Sequence, residues 1–221
     1  MKIIKKKSEK SLIDQFISDF KKDYLRKKKQ NKRFSFVLTG GKSPRKLYRK
    51  LGKINIDWSN IDLFWGDERY VSHFSKNSNY RLAMEEFIKK IEINKRNIFS
   101  IKTQKSISKC SSDYSTKIKK YFRNKEINFD YCLLGMGVDG HIASIFPNSE
   151  NLSKKFISKP VIRKDFKRIT IGLNIINNSK KIILWLNNKS KIKAYLRLRK
   201  DGKKIPVNNL NKKRTIIYKI L

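Results

Sequence analysis

Between positions 9 and 29 apolar side chains recur three and four apart: Leu12, Ile13, Phe16, Ile17, Phe20, Tyr24 and Leu25. That spacing lays them along one face of a helix. The next apolar run, RFSFVL at 33–38, is short and continuous. It reads as a strand buried on both faces. The two patterns then alternate. Strands are predicted at IDLFW (61–65), NIFSI (97–101), FDYCLLG (129–135), RITIGL (168–173), KKIILWL (180–186) and RTIIYKI (214–220). Helices are predicted over about 44–51, 77–91, 107–123 and 188–199. Such alternation predicts an α/β chain with a mainly parallel sheet flanked by helices. No repeat and no linker composition interrupts the 221 residues, so one domain over 1–221 is expected.

In an open parallel sheet the site lies beyond the carboxyl ends of the strands. Three loops qualify: 39–44, 66–73 and 135–147. In the first, TGGKSP, Pro44 suits a first helical position with Ser43 as its cap. Gly40, Gly41, Lys42 and Ser43 would then offer N–H groups, a cation and a hydroxyl to a phosphate at a helix start. The Walker spacing is absent, and a plain capped turn is an equal reading. In the second loop, Asp67, Glu68 and Arg69 leave a strand directly. Arg69 could grip an anion or stabilise an oxyanion, and Asp67 could orient it or meet a substrate hydroxyl. Asn79 follows at the next helix start; His73 reads as a polar loop residue.

The third loop, LLGMGVDGHIASIFPN at 133–148, contains G-x-G-x-x-G. A dinucleotide fingerprint needs a helix at its end and an acidic residue about 20 positions on. Pro147 cuts off such a helix, and ISKPVIRK near 160 carries no such acid. The glycines instead bring backbone close to a ligand and present His141, a plausible general base at neutral pH.

Charge changes the picture less than its size suggests. Fifty-five basic and 18 acidic side chains give a net +37, the signature of a nucleic-acid binder. Yet 42 of the basic residues are Lys, spread along the chain, beside 30 Ile and 19 Asn. These are residues of AT-rich codons, so the charge is assigned to composition, and a basic nucleic-acid-binding protein is kept as the alternative from a different class. One segment resists it: the 28 residues between Lys125 and Lys154 contain no Lys or Arg. The third loop lies inside that gap. Cys110 and Cys132 have no metal or disulfide spacing. They suggest a reducing compartment, and a cytoplasmic location is expected. No run approaches the roughly 18 apolar residues of a membrane span, and MKIIKKKSEK lacks a signal-peptide core.

LTGGKSPRKLYRKL, IDLFWGDERYV, NSNYRLA and LLGMGVDGHIASIFP, in this order, resemble the 6-phosphogluconolactonase family over nearly the whole chain. The resemblance implies a modified Rossmann-like fold similar to glucosamine-6-phosphate deaminase and ribose-5-phosphate isomerase. It also implies hydrolysis of a sugar-phosphate lactone; the ring already activates that ester, so no metal or organic cofactor is expected, and a monomer or weak homodimer is expected. His141 and Arg69 would be catalytic. Gly40, Gly41, Lys42, Ser43, Asp67, Asn79, Asp139 and Gly140 would bind substrate, with Arg168 if its strand start faces the site. The related deaminase branch shares the GG-x-[ST]-P and G-x-DGH-I-A loops. It has a DEY-type motif at Asp67-Glu68-Arg69 and F-N-E-P at Ser144-Ile145-Phe146-Pro147, which favours the lactonase branch.

Overall fold

The computed structural model describes residues 1–221. In chain order the elements are β1 (Lys2–Lys6), α1 (Glu9–Lys28), β2 (Phe34–Leu38), α2 (Arg45–Leu51), β3 (Ile61–Trp65) and β4 (Asp67–Arg69). Then come α3 (Asn79–Glu86), β5 (Ile98–Phe99), α4 (Ile107–Tyr121), β6 (Tyr131–Leu134), β7 (Ser158–Ile162) and β8 (Lys167–Ile171). The chain closes with α5 (Leu173–Asn178), β9 (Lys181–Leu186), α6 (Lys189–Leu198) and β10 (Thr215–Ile220). Seven strands form one sheet in the order β1-β10-β9-β6-β2-β3-β5, and every adjacent pair is parallel. The predicted mainly parallel α/β architecture is present.

Helix α1 starts where Ser8 and Ser11 form a reciprocal capping box. Its apolar face puts Phe16 5.8 Å from Trp185, 5.6 Å from Tyr218 and 6.2 Å from Tyr131 between ring centroids. Helix α4 brings in Tyr114, whose hydroxyl donates to the Trp65 carbonyl at 2.8 Å and accepts from the Trp65 N–H at 2.9 Å. β6 sits between β2 and β9 with all four residues buried, so its carboxyl end opens at the middle of the sheet.

A second sheet, antiparallel with order β4-β8-β7, leaves the first at Gly66. The Gly66 N–H donates to the Leu38 carbonyl in the parallel sheet, and its own carbonyl accepts from the N–H of Ile171 at the end of β8. RITIGL therefore belongs to this small sheet and not to the parallel one. The DER triplet is a strand as well as a loop exit; three residues are too few to set a period. β1 escapes a hydrophobicity reading because it is a lysine-bearing edge strand, largely exposed. The helix expected to 91 ends at Glu86, since Phe87 (φ −140°, ψ −64°) leaves helical geometry. No helix is long and apolar enough to cross a membrane.

Candidate active site

The three loops meet over the carboxyl ends of β2, β3 and β6. They line a cavity of about 310 Å³ bounded by Thr39, Gly40, Gly41, Asp67, Arg69, Asn79, His141 and the 135–138 turn, with Arg168 and Lys191. Thr39 ties the first loop to the third by accepting from the Gly135 N–H at 3.1 Å.

His141 is placed by its own loop. The Gly137 N–H donates to the His141 carbonyl at 2.9 Å, which closes the turn. A side chain at Gly137 would put its Cβ 2.2 Å from the imidazole, so only glycine admits the ring there. Nδ1 of His141 lies 2.7 Å from Oδ1 of Asp139, which also accepts the His141 N–H at 3.2 Å. A carboxylate facing Nδ1 selects the tautomer protonated there and leaves Nε2 as the acceptor. Burial alone would raise the Asp139 carboxyl; hydrogen bonds from His141 outweigh it and hold it below the usual carboxylate range. The imidazole remains about one-third exposed, within reach of water and substrate.

The DER strand aims its side chains differently. Asp67 is buried, accepting from Ser144 Oγ at 2.6 Å and Asn79 Nδ2 at 3.2 Å. Glu68 points away from the cavity. It accepts the N–H groups of Arg69, Asn79 and Tyr80 at 2.7–2.8 Å and the Ser78 hydroxyl at 3.1 Å, so it clamps β4 to the start of α3. Burial pushes its carboxyl up to about 7, against the pull of those N–H donors. Arg69 faces the cavity. One terminal nitrogen donates to the Asn77 carbonyl at 2.9 Å, and Nε has no partner.

Cations dominate the remainder. Arg69 and Arg168 are direct partners across the β4–β8 ladder. Like charges opposite each other on a sheet repel unless an anion or counterion lies between. Arg168 is buried and held by Asp165 and the Phe166 carbonyl. Lys191, in the first turn of α6, makes no ion pair, and burial lowers its ammonium below the usual lysine range. No cluster of three His, Cys, Asp or Glu side chains is placed to hold a metal ion.

The sequence profile described as glucosamine-6-phosphate isomerases/6-phosphogluconolactonase matches residues 7–218. The chain belongs to that family. It is 34% identical over 177 residues to the probable chloroplastic 6-phosphogluconolactonase 4 of Oryza sativa, covering 73% of this chain and 55% of the rice protein. The chain thus spans about half the length of that relative. A 6-phosphogluconolactonase crystal structure from Thermotoga maritima superimposes with a TM-score of 0.87 at 26% identity, over 99% of this chain and 98% of that one. A monomeric glucosamine-6-phosphate deaminase shares the fold at 20% identity and a TM-score of 0.83, over 100% and 97%.

Against this family background several expected site residues move. His141, Arg69, Asp67, Asn79, Gly40, Gly41 and Arg168 all line the cavity. Asp139 reaches it through His141. Lys42 and Ser43 do not line it. Lys42 is exposed, and Ser43 offers only its carbonyl, to Asn187 at 3.1 Å. Ser43 does not cap α2: Pro44 holds that position, with no side-chain hydrogen bond. Gly40 is required for a different reason from a phosphate seat. A Cβ there would lie 1.8 Å from Asn79 Oδ1, so its bare Cα admits the Asn79 amide. Gly140 is structural: it is buried with φ +85°, and a Cβ would meet Ile205 at 2.4 Å. His73 stacks on Tyr80 at 4.2 Å outside the cavity. Lys191 was missed, although LWLNNKSK is also a strand-to-helix exit. It lacks the glycines that marked the other loops, and one lysine among 42 carries little signal.

Proposed function

We propose that this chain hydrolyses 6-phospho-D-glucono-1,5-lactone to 6-phosphogluconate, the second step of the oxidative pentose phosphate pathway. The observation that carries the reading is the Asp139-held His141, 2.7 Å at Nδ1, in a cavity lined by three cations, Arg69, Arg168 and Lys191. The rice and Thermotoga relatives, both named lactonases, support it.

A lactone is a cyclic ester. Nε2 of His141 takes a proton from water as the water oxygen bonds to C1. The carbonyl oxygen becomes an oxyanion, stabilised by a cavity guanidinium. The C1–ring oxygen bond then breaks, and His141 returns its proton to the oxygen that leaves as the C5 hydroxyl. The phosphate dianion takes the remaining cations, with Lys191 and Arg168 in place of Lys42 and Ser43. Asp67 and Asn79 line the same cavity and face sugar hydroxyls. The steps require no metal or organic cofactor. Deaminase chemistry fits less well: its pattern carries an acid where this chain has Phe146.

The test is lactone turnover with spontaneous hydrolysis subtracted, beside glucosamine 6-phosphate as substrate. His141→Ala should lose on the order of 10²–10⁴ in kcat while staying folded. Turnover of the amino sugar alone would move the chain to the deaminase branch. We place the enzyme in the cytoplasm as a monomer or weak homodimer, acting on a small sugar phosphate without a membrane or specific nucleic-acid partner. Fractionation, sedimentation and a DNA titration across salt check these points; sequence-selective binding that survives moderate salt would reverse the last.

A further inference from the structure

Phe146 lies five residues beyond His141 on the same loop and is buried. Its ring meets the His141 imidazole with centroids 4.7 Å apart and planes tilted by 38°. The Arg168 guanidinium lies 5.5 Å from the same ring, and that of Arg163 lies 4.6 Å from it. Arg168 is held from another side by Phe166 at 5.4 Å. One apolar side chain therefore touches both the general base and a cavity cation. It has no polar atom and does no chemistry of its own.

The contact supplies what the other restraints on His141 lack. The Asp139 hydrogen bond fixes Nδ1 but leaves the imidazole able to swing about that bond. Gly137 only makes room for the ring. A rigid ring packed against the imidazole at this tilt restricts the swing, and with it the direction of Nε2. Cations over an aromatic face are attracted by its quadrupole, so the same ring orients Arg168. Arg163, on the turn between β7 and β8, lies against the ring as an outer clamp.

We propose that Phe146 is a positioning residue, which fixes the His141 imidazole and the Arg168 guanidinium relative to each other through one ring. The proposal rests on the reading of His141 as the general base. A ring that merely fills the core would affect stability when changed. A positioning ring affects kcat and the imidazole's own behaviour at constant fold, since a displacement near 1 Å at a reacting group costs about 10² in rate.

The experiment uses Phe146→Leu and Phe146→Met, which keep apolar volume and lose the flat face, and Phe146→Tyr, which keeps the face. For the Leu and Met variants kcat should fall by about 10- to 100-fold, and KM for the phosphorylated lactone should rise as Arg168 loses its platform. Phe146→Tyr should stay within about threefold of the parent kcat. In parallel, nuclear Overhauser contacts of the imidazole, assigned with His73→Asn, report the ring's orientation without any substrate. The parent should show one set of contacts from Hε1 to the Gly137 Hα protons, and the Leu and Met variants weakened, averaged ones, while the Asp139-held tautomer stays the same. If either variant folds and keeps the parental kcat or the parental set of contacts, the proposal is wrong. If both unfold while Phe146→Tyr alone survives, the ring is core and the proposal is also wrong. If the parent shows no lactone turnover, the functional reading fails, and the spectra still decide the role of Phe146.

Discussion

Replacing Asp139 by Asn tests the chemistry at its narrowest point. The carboxylate accepts from Nδ1 of His141 at 2.7 Å and from the His141 backbone N–H at 3.2 Å. An amide of the same shape keeps the contact but can also turn its NH₂ toward Nδ1. That stabilises the other tautomer, places the proton on Nε2 and removes the base. In a fully buried pair the wrong tautomer costs about 10⁴ in kcat. Here the two side chains are 34% and 44% exposed, so water competes for the same hydrogen bond. The expected loss is therefore smaller, about 10- to 100-fold in kcat with KM nearly unchanged. Because Asp139 is held below the usual carboxylate range, it stays ionised across the working pH. A change of kcat/KM across that range is then not a titration of Asp139. The sign for stability follows: a carboxyl depressed by folding stabilises above its unfolded value, and the contribution is lost as pH falls through the folded one. The assay is lactone turnover from pH 5 to 9 with the spontaneous rate subtracted, beside thermal melts. A folded Asp139→Asn enzyme within about threefold of parental kcat would refute the tautomer argument.

Gly137→Ala places a Cβ 2.2 Å from the imidazole and should lose on the order of 10² in kcat, whereas Gly135→Ala meets only ordinary contacts from 3.6 Å and should stay active. Lys191→Ala should raise KM for the phosphorylated lactone far more than for unphosphorylated gluconolactone, and should not lower the melting temperature, since a desolvated cation is removed; Ser43→Ala should change neither KM by more than about twofold. Glu68→Gln leaves one accepting oxygen for donors that now share two, so urea unfolding should register a loss of about 2–4 kcal/mol. With a net +37, kcat/KM for the phosphorylated lactone should fall with ionic strength more steeply than for the neutral one; parallel salt responses would count against steering of a dianion.

The parallel strands were legible because they are buried on both faces, as β2 and β3 are throughout, and a continuous apolar run leaves few other readings. The three loops were legible because glycines and charged triplets at strand ends break the background of lysine and isoleucine. What failed was local geometry that only tertiary contact decides. Ser43 has the right type and place for a cap, yet the turn enters α2 through Pro44 in helical conformation and leaves the hydroxyl unused. Gly40 and Gly140 share a composition signal but answer to different neighbours, an Asn79 amide and an Ile205 methyl. The small antiparallel sheet was invisible because β4 has three residues and β7 carries Pro160 in its middle. Lys191 needed the fold, since nothing in sequence separates a desolvated lysine from an exposed one.

The gap in the basic residues between 125 and 154 takes its meaning from where that segment lies. β6 runs through the centre of the parallel sheet, where a lysine would be desolvated without a partner. Beyond it the turn from Gly135 to His141 faces Arg69, Arg168 and Lys191 across one cavity. An added cation there would repel all three. It would also compete with His141 for Asp139, the carboxylate that sets the tautomer. Further on, Ser144 must donate to buried Asp67, and Phe146 must present an uncharged face to two guanidiniums. Lysine fails at each of these positions for a separate reason. A composition bias that has filled the surface with positive charge therefore stops at the segment where the base and its supports are built.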